Sequence, residues 1–153
     1  MDYEDTVALL RRVPIFASME AAALKLLAFS SETVTFDDGE IICQEGDLAD
    51  GVYVIDEGQV VVSVERDGIA AKIAVVGANE VVGELAVILN QPRAASLRAQ
   101  GTVRLVRIDS DIFIRTVTGN PDAALGVLRI LCRRLSNMLR HYEELVSSID
   151  SSI

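Results

Sequence analysis

Two residues of opposite charge, Glu84 and Arg93, stand nine positions apart in the segment VVGELAVILNQPRAASLRA, residues 81–99, with mostly small or apolar residues between them. Two buried charges of opposite sign can neutralise each other as a structural ion pair. They can also grip two ends of one small ligand. A guanidinium offers two parallel hydrogen bonds to phosphate oxygens. A carboxylate repels a phosphate but accepts hydrogen bonds from sugar hydroxyls. Helix formers run from Glu84 to Leu89 behind Gly83. That pattern predicts about two turns of helix, whose first backbone N–H groups suit an anion. The small side chain of Ala86 lets such an anion approach the backbone. A nucleotide whose phosphate and ribose lie side by side uses both charged groups at once.

Little else in the chain competes for chemistry. His141 is the single histidine, so a metal centre built from clustered histidines and carboxylates is not expected. Cys43 and Cys132 are too few and too far apart for a four-cysteine iron–sulfur centre. They fit reduced thiols of a cytoplasmic protein better than a disulfide framework. The RRLS sequence (133–136) resembles a basophilic kinase substrate, yet its Leu135 belongs to a helical apolar stripe, and two basic residues on a helix are the simpler reading. The turn aspartates are read as turn formers, not as a calcium site. No nucleophile–base pair accompanies Glu84 and Arg93, so the chain is not expected to be an enzyme.

Stepping outward along the chain, 153 residues suit one domain with a single proper core. No apolar run reaches the roughly 18 residues that span a membrane, and the acidic start MDYEDTVALLRRVPIF lacks the order of a signal peptide. The formal net charge is -9, and the acid excess lies wholly in residues 1–120, with 10 basic and 19 acidic side chains. Such a surface repels nucleic acid, so no DNA contact by this chain alone is expected. The first third reads as helix, with Pro14 as an interruption and Ser18 as a cap for MEAAALKLLAF. Short β-branched runs follow, separated by turns at DDG (37–39), EGD (45–47), DEG (56–58), RDG (66–68) and GANE (77–80). That spacing predicts an antiparallel sandwich or barrel. After TVRLVRI (102–108), helices return, capped by Asp109 or Ser110 and then by Asn120 with Pro121 at the first position. The last helix is uninterrupted to about Ser147, and the Ser-rich end SSIDSSI is expected to fray.

The segment VGELAVILNQPRAASLRA closely resembles the phosphate-binding cassette of cyclic nucleotide-binding domains, as found in kinase regulatory subunits, cyclic-nucleotide-gated channels and catabolite-activator-type regulators. A second stretch, IICQEGDLADGVYVIDEGQV (41–60), resembles the family's strand-turn-strand signature, with Gly46, Asp47 and Gly58 at its turns. The resemblance spans essentially the whole chain. It implies a mostly β fold with flanking helices: an antiparallel, jelly-roll-like roll of eight strands (31–108) between N-terminal helices (1–30) and C-terminal helices (109–149), one domain over 1–153. It also implies that Glu84 takes the ribose 2′-hydroxyl and Arg93 the cyclic phosphate. Val82, Gly83, Leu85, Ala86, Ala94 and Ala95 then line the ligand, and Ile73, Val76, Val81, Arg134 and Asn137 are candidates for the base site. Relatives that prefer the guanine nucleotide tend to carry Thr or Ser after the cassette arginine. Ala94 stands here, which favours cyclic AMP over cyclic GMP. No other cofactor is implied.

In the long helix, Leu128, Leu131, Leu135, Met138, Tyr142, Leu145 and Ile149 fall at alternating steps of three and four. This seam predicts a parallel homodimer through residues 121–149. A second row, Leu125, Cys132 and Leu139, is expected to face the chain's own cassette. The leading functional expectation is a non-catalytic cytoplasmic sensor of cyclic AMP that shifts its C-terminal helices and signals to a further protein. The alternative is the sensory half of a catabolite-activator-type regulator, which needs roughly 60 further residues for a DNA-binding module. An interaction domain with an empty pocket is a third reading.

Overall fold

The computed structural model describes residues 1–151. Helix α1 (Tyr3–Arg11) opens on a capping box, in which the Asp2 side chain accepts from the Asp5 backbone N–H and Asp5 reciprocates. Helix α2 (Ala21–Phe29) begins after Glu20 and not at Ser18. Residues 12–19 instead make successive tight turns, with Phe16 N–H on the Val13 carbonyl at 2.9 Å and Met19 N–H on the Phe16 carbonyl at 3.1 Å.

Six strands follow: β1 (Glu32–Phe36), β2 (Ile41–Cys43), β3 (Gly51–Arg66), β4 (Ile69–Val76), β5 (Val81–Val82) and β6 (Ser96–Asp109). All pair antiparallel in the order β1-β6-β3-β4, with β2 also on β6 and β5 on β3. This is the expected antiparallel roll. Its strands count as six continuous segments where eight were expected, because neighbouring runs join. The DEG turn does not break β3. The strand bends there, at register shifts between Ile55 and Glu57 and between Glu57 and Gln59. Gly58 takes φ +97°, and a Cβ on it would lie 2.4 Å from the Thr102 carbonyl oxygen. Only glycine fits that bend.

The sheet separates two apolar clusters. Alternate residues of β6 point to opposite faces. Leu97, Val103 and Leu105 pack inside the roll with Ile55 and Val60. Val106 and Ile108 face the helices, where they meet Leu9, Leu24 and Phe113. Phe16 and Phe113 pack edge to face there, 6.5 Å apart. Strand β4 is an edge strand, and every residue of it but Val76 is exposed.

Helix α4 (Ser110–Thr118) is capped by Asp109, whose carboxylate accepts from the Asp111 N–H at 3.0 Å. Helix α5 (Pro121–Ser151) starts at Pro121, and the Asn120 side chain accepts from the Ala123 N–H at 3.3 Å. Ala123 and Val127 anchor it to the helical core. From Leu135 to Asp150 every residue is exposed. The helix continues to Ser151, through most of the segment expected to fray; Ser152 and Ile153 lie outside the described residues.

Candidate functional site

Arg93 lies between α3 (Glu84–Leu89) and β6, and its backbone is fixed from both sides. Its N–H donates to the Asp47 carbonyl at 2.8 Å, and its carbonyl accepts from the Gly46 N–H at 2.9 Å. The EGD turn therefore braces the cassette directly. The Arg93 side chain is buried, at 4% exposure. Nη1 donates to the Gly83 carbonyl at 2.8 Å and Nη2 to the Gly51 carbonyl at 2.5 Å. The guanidinium lies 5.2 Å from the Tyr53 ring centre, within cation–π range. Asp50 stands 3.5 Å from Nη2 and is itself held by Arg107 at 3.0 Å. Burial pushes the Tyr53 phenol above its ordinary pKa, against the opposing charge of Arg93. The same two causes act on the Cys43 thiol, which burial also raises.

One donor of this buried guanidinium has no acceptor. The Nε–H makes no hydrogen bond. A buried donor left so costs about 1–3 kcal/mol, and an anion oxygen is the partner it lacks. Gly83 makes room for the arrangement. Its φ is +87°, and a Cβ on it would sit 2.7 Å from Arg93 Nη1.

Glu84 is also buried, at 2% exposure, yet it does not pair with Arg93. Its Oε1 instead receives Nη1 of Arg134 from α5. Nη2 of the same guanidinium donates to the Val81 carbonyl at 3.0 Å. Burial lowers the Arg134 pKa, partly countered by the Glu80 carboxylate. Glu84 Oε2 accepts no hydrogen bond among the described residues and, unlike Arg93 Nε, is not fully enclosed. The two charged groups thus have separate partners, and each keeps one unused valence: a donor on Arg93 and an acceptor on Glu84.

The remaining residues singled out in the sequence scatter around this centre. Val82 and Ala86 are buried, Gly83 and Ala95 half-buried, and Leu85 and Ala94 exposed. Val81 packs in the helical core and serves the site through its carbonyl, not as an apolar floor. Val76 packs against the interior of the roll. Ile73 is 59% exposed beside the register shift of the β3–β4 pairing, where it has no strand partner. Asn137 is exposed and accepts from Arg140 at 2.5 Å. The row Leu125, Cys132 and Leu139 does not cover the cassette either, since all three are exposed. The body-facing positions of α5 are Ala123, Gly126, Val127, Ile130, Leu131 and Arg134, which leaves that row turned away. Sequence reasoning missed Asp50, Gly51 and Tyr53 as partners of the buried arginine, and Arg107 as the residue that holds Asp50. A groove of about 500 Å³ lies behind α3, between Leu48–Ala49 and α4, and neither Glu84 nor Arg93 lines it. Among the described residues no group of three or more metal-binding side chains occurs, and no helix is long and apolar enough to cross a membrane.

The model of the cyclic nucleotide-binding domain matches residues 33–120. The chain is 37% identical over 108 residues to the cAMP-dependent protein kinase type II regulatory subunit of Drosophila melanogaster, covering 70% of this chain and 29% of that protein. It is 28% identical over 139 residues to the CRP-like cAMP-activated global transcriptional regulator of Mycobacterium tuberculosis, covering 90% of this chain and 62% of that one. The chain thus spans under a third of the first relative and under two thirds of the second. Among solved structures, the N-terminal domain of a transcriptional regulator from Streptomyces coelicolor A3(2) superposes with a TM-score of 0.67 at 32% identity, covering 88% of this chain and 94% of that one. The chain belongs to the cyclic nucleotide-binding domain family.

Proposed function

We propose that this member of the family is a non-catalytic sensor of cyclic AMP that reports occupancy through α5. The observation that carries the reading is the pair of unused valences. Arg93 Nε–H is a buried donor without an acceptor, and Glu84 offers one free carboxylate oxygen. A cyclic nucleotide brings an anionic phosphate oxygen and a neighbouring ribose hydroxyl, which complete both. The printed names of the kinase subunit and the bacterial regulator point to cyclic AMP, and Ala94 offers no hydroxyl to a guanine. Cyclic GMP is the competing ligand. No cofactor beyond the nucleotide is needed.

Glu84 also links ligand to helix. A carboxylate can accept from Arg134 at one oxygen and from the sugar at the other. The hydroxyl then fixes the orientation of the carboxylate that holds α5, and helix position becomes coupled to occupancy, a coupling that runs both ways. Ligand residues in this reading are Gly83, Glu84, Arg93, Ala94 and Ala95, with Val82, Leu85 and Ala86 around them. Arg134 is a positioning residue.

Glu84→Gln tests the sugar contact. It should weaken cyclic AMP binding about tenfold, the scale of one charge-assisted hydrogen bond, and should matter much less for the 2′-deoxy analogue. Equal losses in calorimetric titrations of both ligands would show that Glu84 serves only Arg134. Ala94→Thr tests base choice. Its hydroxyl can meet the guanine amino group, so affinity for cyclic GMP relative to cyclic AMP should rise by about 0.5–1.5 kcal/mol. An unchanged ratio would place the base elsewhere.

A second reading, the sensory half of a DNA-binding regulator, is favoured by the 90% of this chain that aligns with the mycobacterial protein. The reading frame beyond Ile153 distinguishes the two.

A further inference from the structure

The inner face of β6 carries an apolar row, Leu97, Ala99, Val103 and Leu105, that packs inside the roll. Arg107 is the next residue on that face, so a cation stands where the row would continue. In the ladder it lies between Tyr53 of β3 and Glu32 of β1. Register places the Glu32 carboxylate beside it, yet among the described residues the ion pair of Arg107 goes to Asp50, at 3.0 Å. Its Nη2 also donates to the Asp50 backbone carbonyl at 3.0 Å. The side chain lies across Gly51, where a Cβ would come within 3.3 Å of the Arg107 Cγ and Nε. Gly51 is the residue whose carbonyl holds Arg93. Arg107 therefore grips Asp50 by carboxylate and backbone, one residue before the anchor of the cassette arginine.

That grip bears on the phosphate. The Nε–H and Nη2 of a guanidinium share one edge, which takes two oxygens of an anion side by side. On Arg93 the Nε–H is the buried donor without an acceptor, and Asp50 Oδ1 stands 3.5 Å from Nη2, the other member of that edge. A carboxylate there is a rival for the place of the phosphate. The Asp50 side chain is 62% exposed, and among the described residues its carboxylate has only the two arginines as partners. The same contest of charges reaches Tyr53: burial raises its phenol, Asp50 adds to the rise, and Arg93 and Arg107 oppose it.

We propose that Arg107 is a positioning residue for ligand binding, which holds and neutralises Asp50 so that the charge of Arg93 stays free for a phosphate. The proposal rests on the reading of Arg93 as the cation that meets the cyclic nucleotide. Arg93 and Asp50 alone sum to zero. Arg107 restores one net positive charge to the trio, which matches the single negative charge of a phosphate diester. Without Arg107, Asp50 turns wholly to Arg93 and becomes an internal substitute for the ligand.

Arg107→Gln should therefore weaken cyclic AMP binding about fivefold, the upper range for a partly exposed ion pair. The loss should depend on Asp50. In an Asp50→Asn background the same Arg107→Gln change should alter Kd by less than about twofold, because no anion remains to be restrained. A merely structural role in β6 predicts the same loss in both backgrounds. Arg107→Lys keeps a charge beside Asp50 and should bind within about twofold of wild type. Calorimetric titrations with cyclic AMP read all of these. Equal losses in the two backgrounds, wild-type affinity in Arg107→Gln, or an Arg107→Lys chain as weak as Arg107→Gln overturns the proposal. Each variant is melted on the same sample, and an Arg107→Gln chain unfolded at the titration temperature makes the residue structural, which also overturns it. Wild-type protein that binds no cyclic AMP defeats the nucleotide reading instead.

Discussion

Replacing Arg93 by alanine should abolish measurable cyclic AMP binding and lower the melting temperature in the same variant. The binding loss follows from removing the cation proposed to meet the phosphate, about 2–5 kcal/mol for a desolvated charge contact that loses one partner. That corresponds to roughly 30-fold to several thousand-fold in Kd. The stability loss follows from the carbonyls of Gly83 and Gly51, which would lose their shared donor in a buried setting. Each such acceptor costs about 1–3 kcal/mol. Arg93→Lys should rescue little of either, because an ammonium cannot span two carbonyls and a phosphate at fixed angles. Titration calorimetry and a thermal melt on the same sample check both parts. Wild-type affinity in Arg93→Ala would remove the cassette from the site.

If the α5 seam pairs two copies, Leu135→Glu should leave a monomer. Leu135 is 56% exposed at the middle of the open face of α5, far from the core, so the single chain has no reason to unfold. Across a two-fold axis the substituted position faces its own copy. Two carboxylates would meet in an apolar interface, and a buried uncompensated charge costs about 3–5 kcal/mol. Light scattering over a concentration series reads the result. An unchanged mass for Leu135→Glu, or a monomeric wild type at high micromolar concentration with and without ligand, would leave α5 as a single-chain element whose movement alone carries the signal.

Local signals told the truth where they needed only a few neighbouring residues. Asp109 and Asn120 cap helices as expected, because a short polar side chain can reach the free N–H groups close after it, whereas Ser18 caps nothing and Asp2 caps α1 unannounced. Four of the five turns interrupt strands, since Asp, Asn and Gly supply the backbone angles that a tight turn needs. The DEG turn misled for a nonlocal reason: β6 runs past Gly58 close enough to bend β3 without ending it. The cassette was legible as a motif, but its wiring was not. Nothing near Glu84 in sequence announces that Arg134 is its partner, and Gly51 offers Arg93 only a backbone carbonyl, which no residue type encodes. The row expected to face the cassette, Leu125, Cys132 and Leu139, lies on the far side of α5 from the body. An apolar position at helical spacing says that something covers it, but not whether the cover belongs to the same chain.

The long ladder between β3 and β6 sets the order in which the molecule can assemble. It pairs Gly51 with Asp109 at one end and Ser63 with Ser96 at the other, so Val82 to Ala95 of the cassette lie within the loop that this pairing closes. Contacts so distant along the chain form late and slowly, because the entropy of closing the loop comes before any reward from pairing. Gly51, whose carbonyl holds Arg93, is the first residue of β3 and takes its place only with the ladder. In a refolding chain the cassette arginine therefore finds its carbonyl only when this ladder closes.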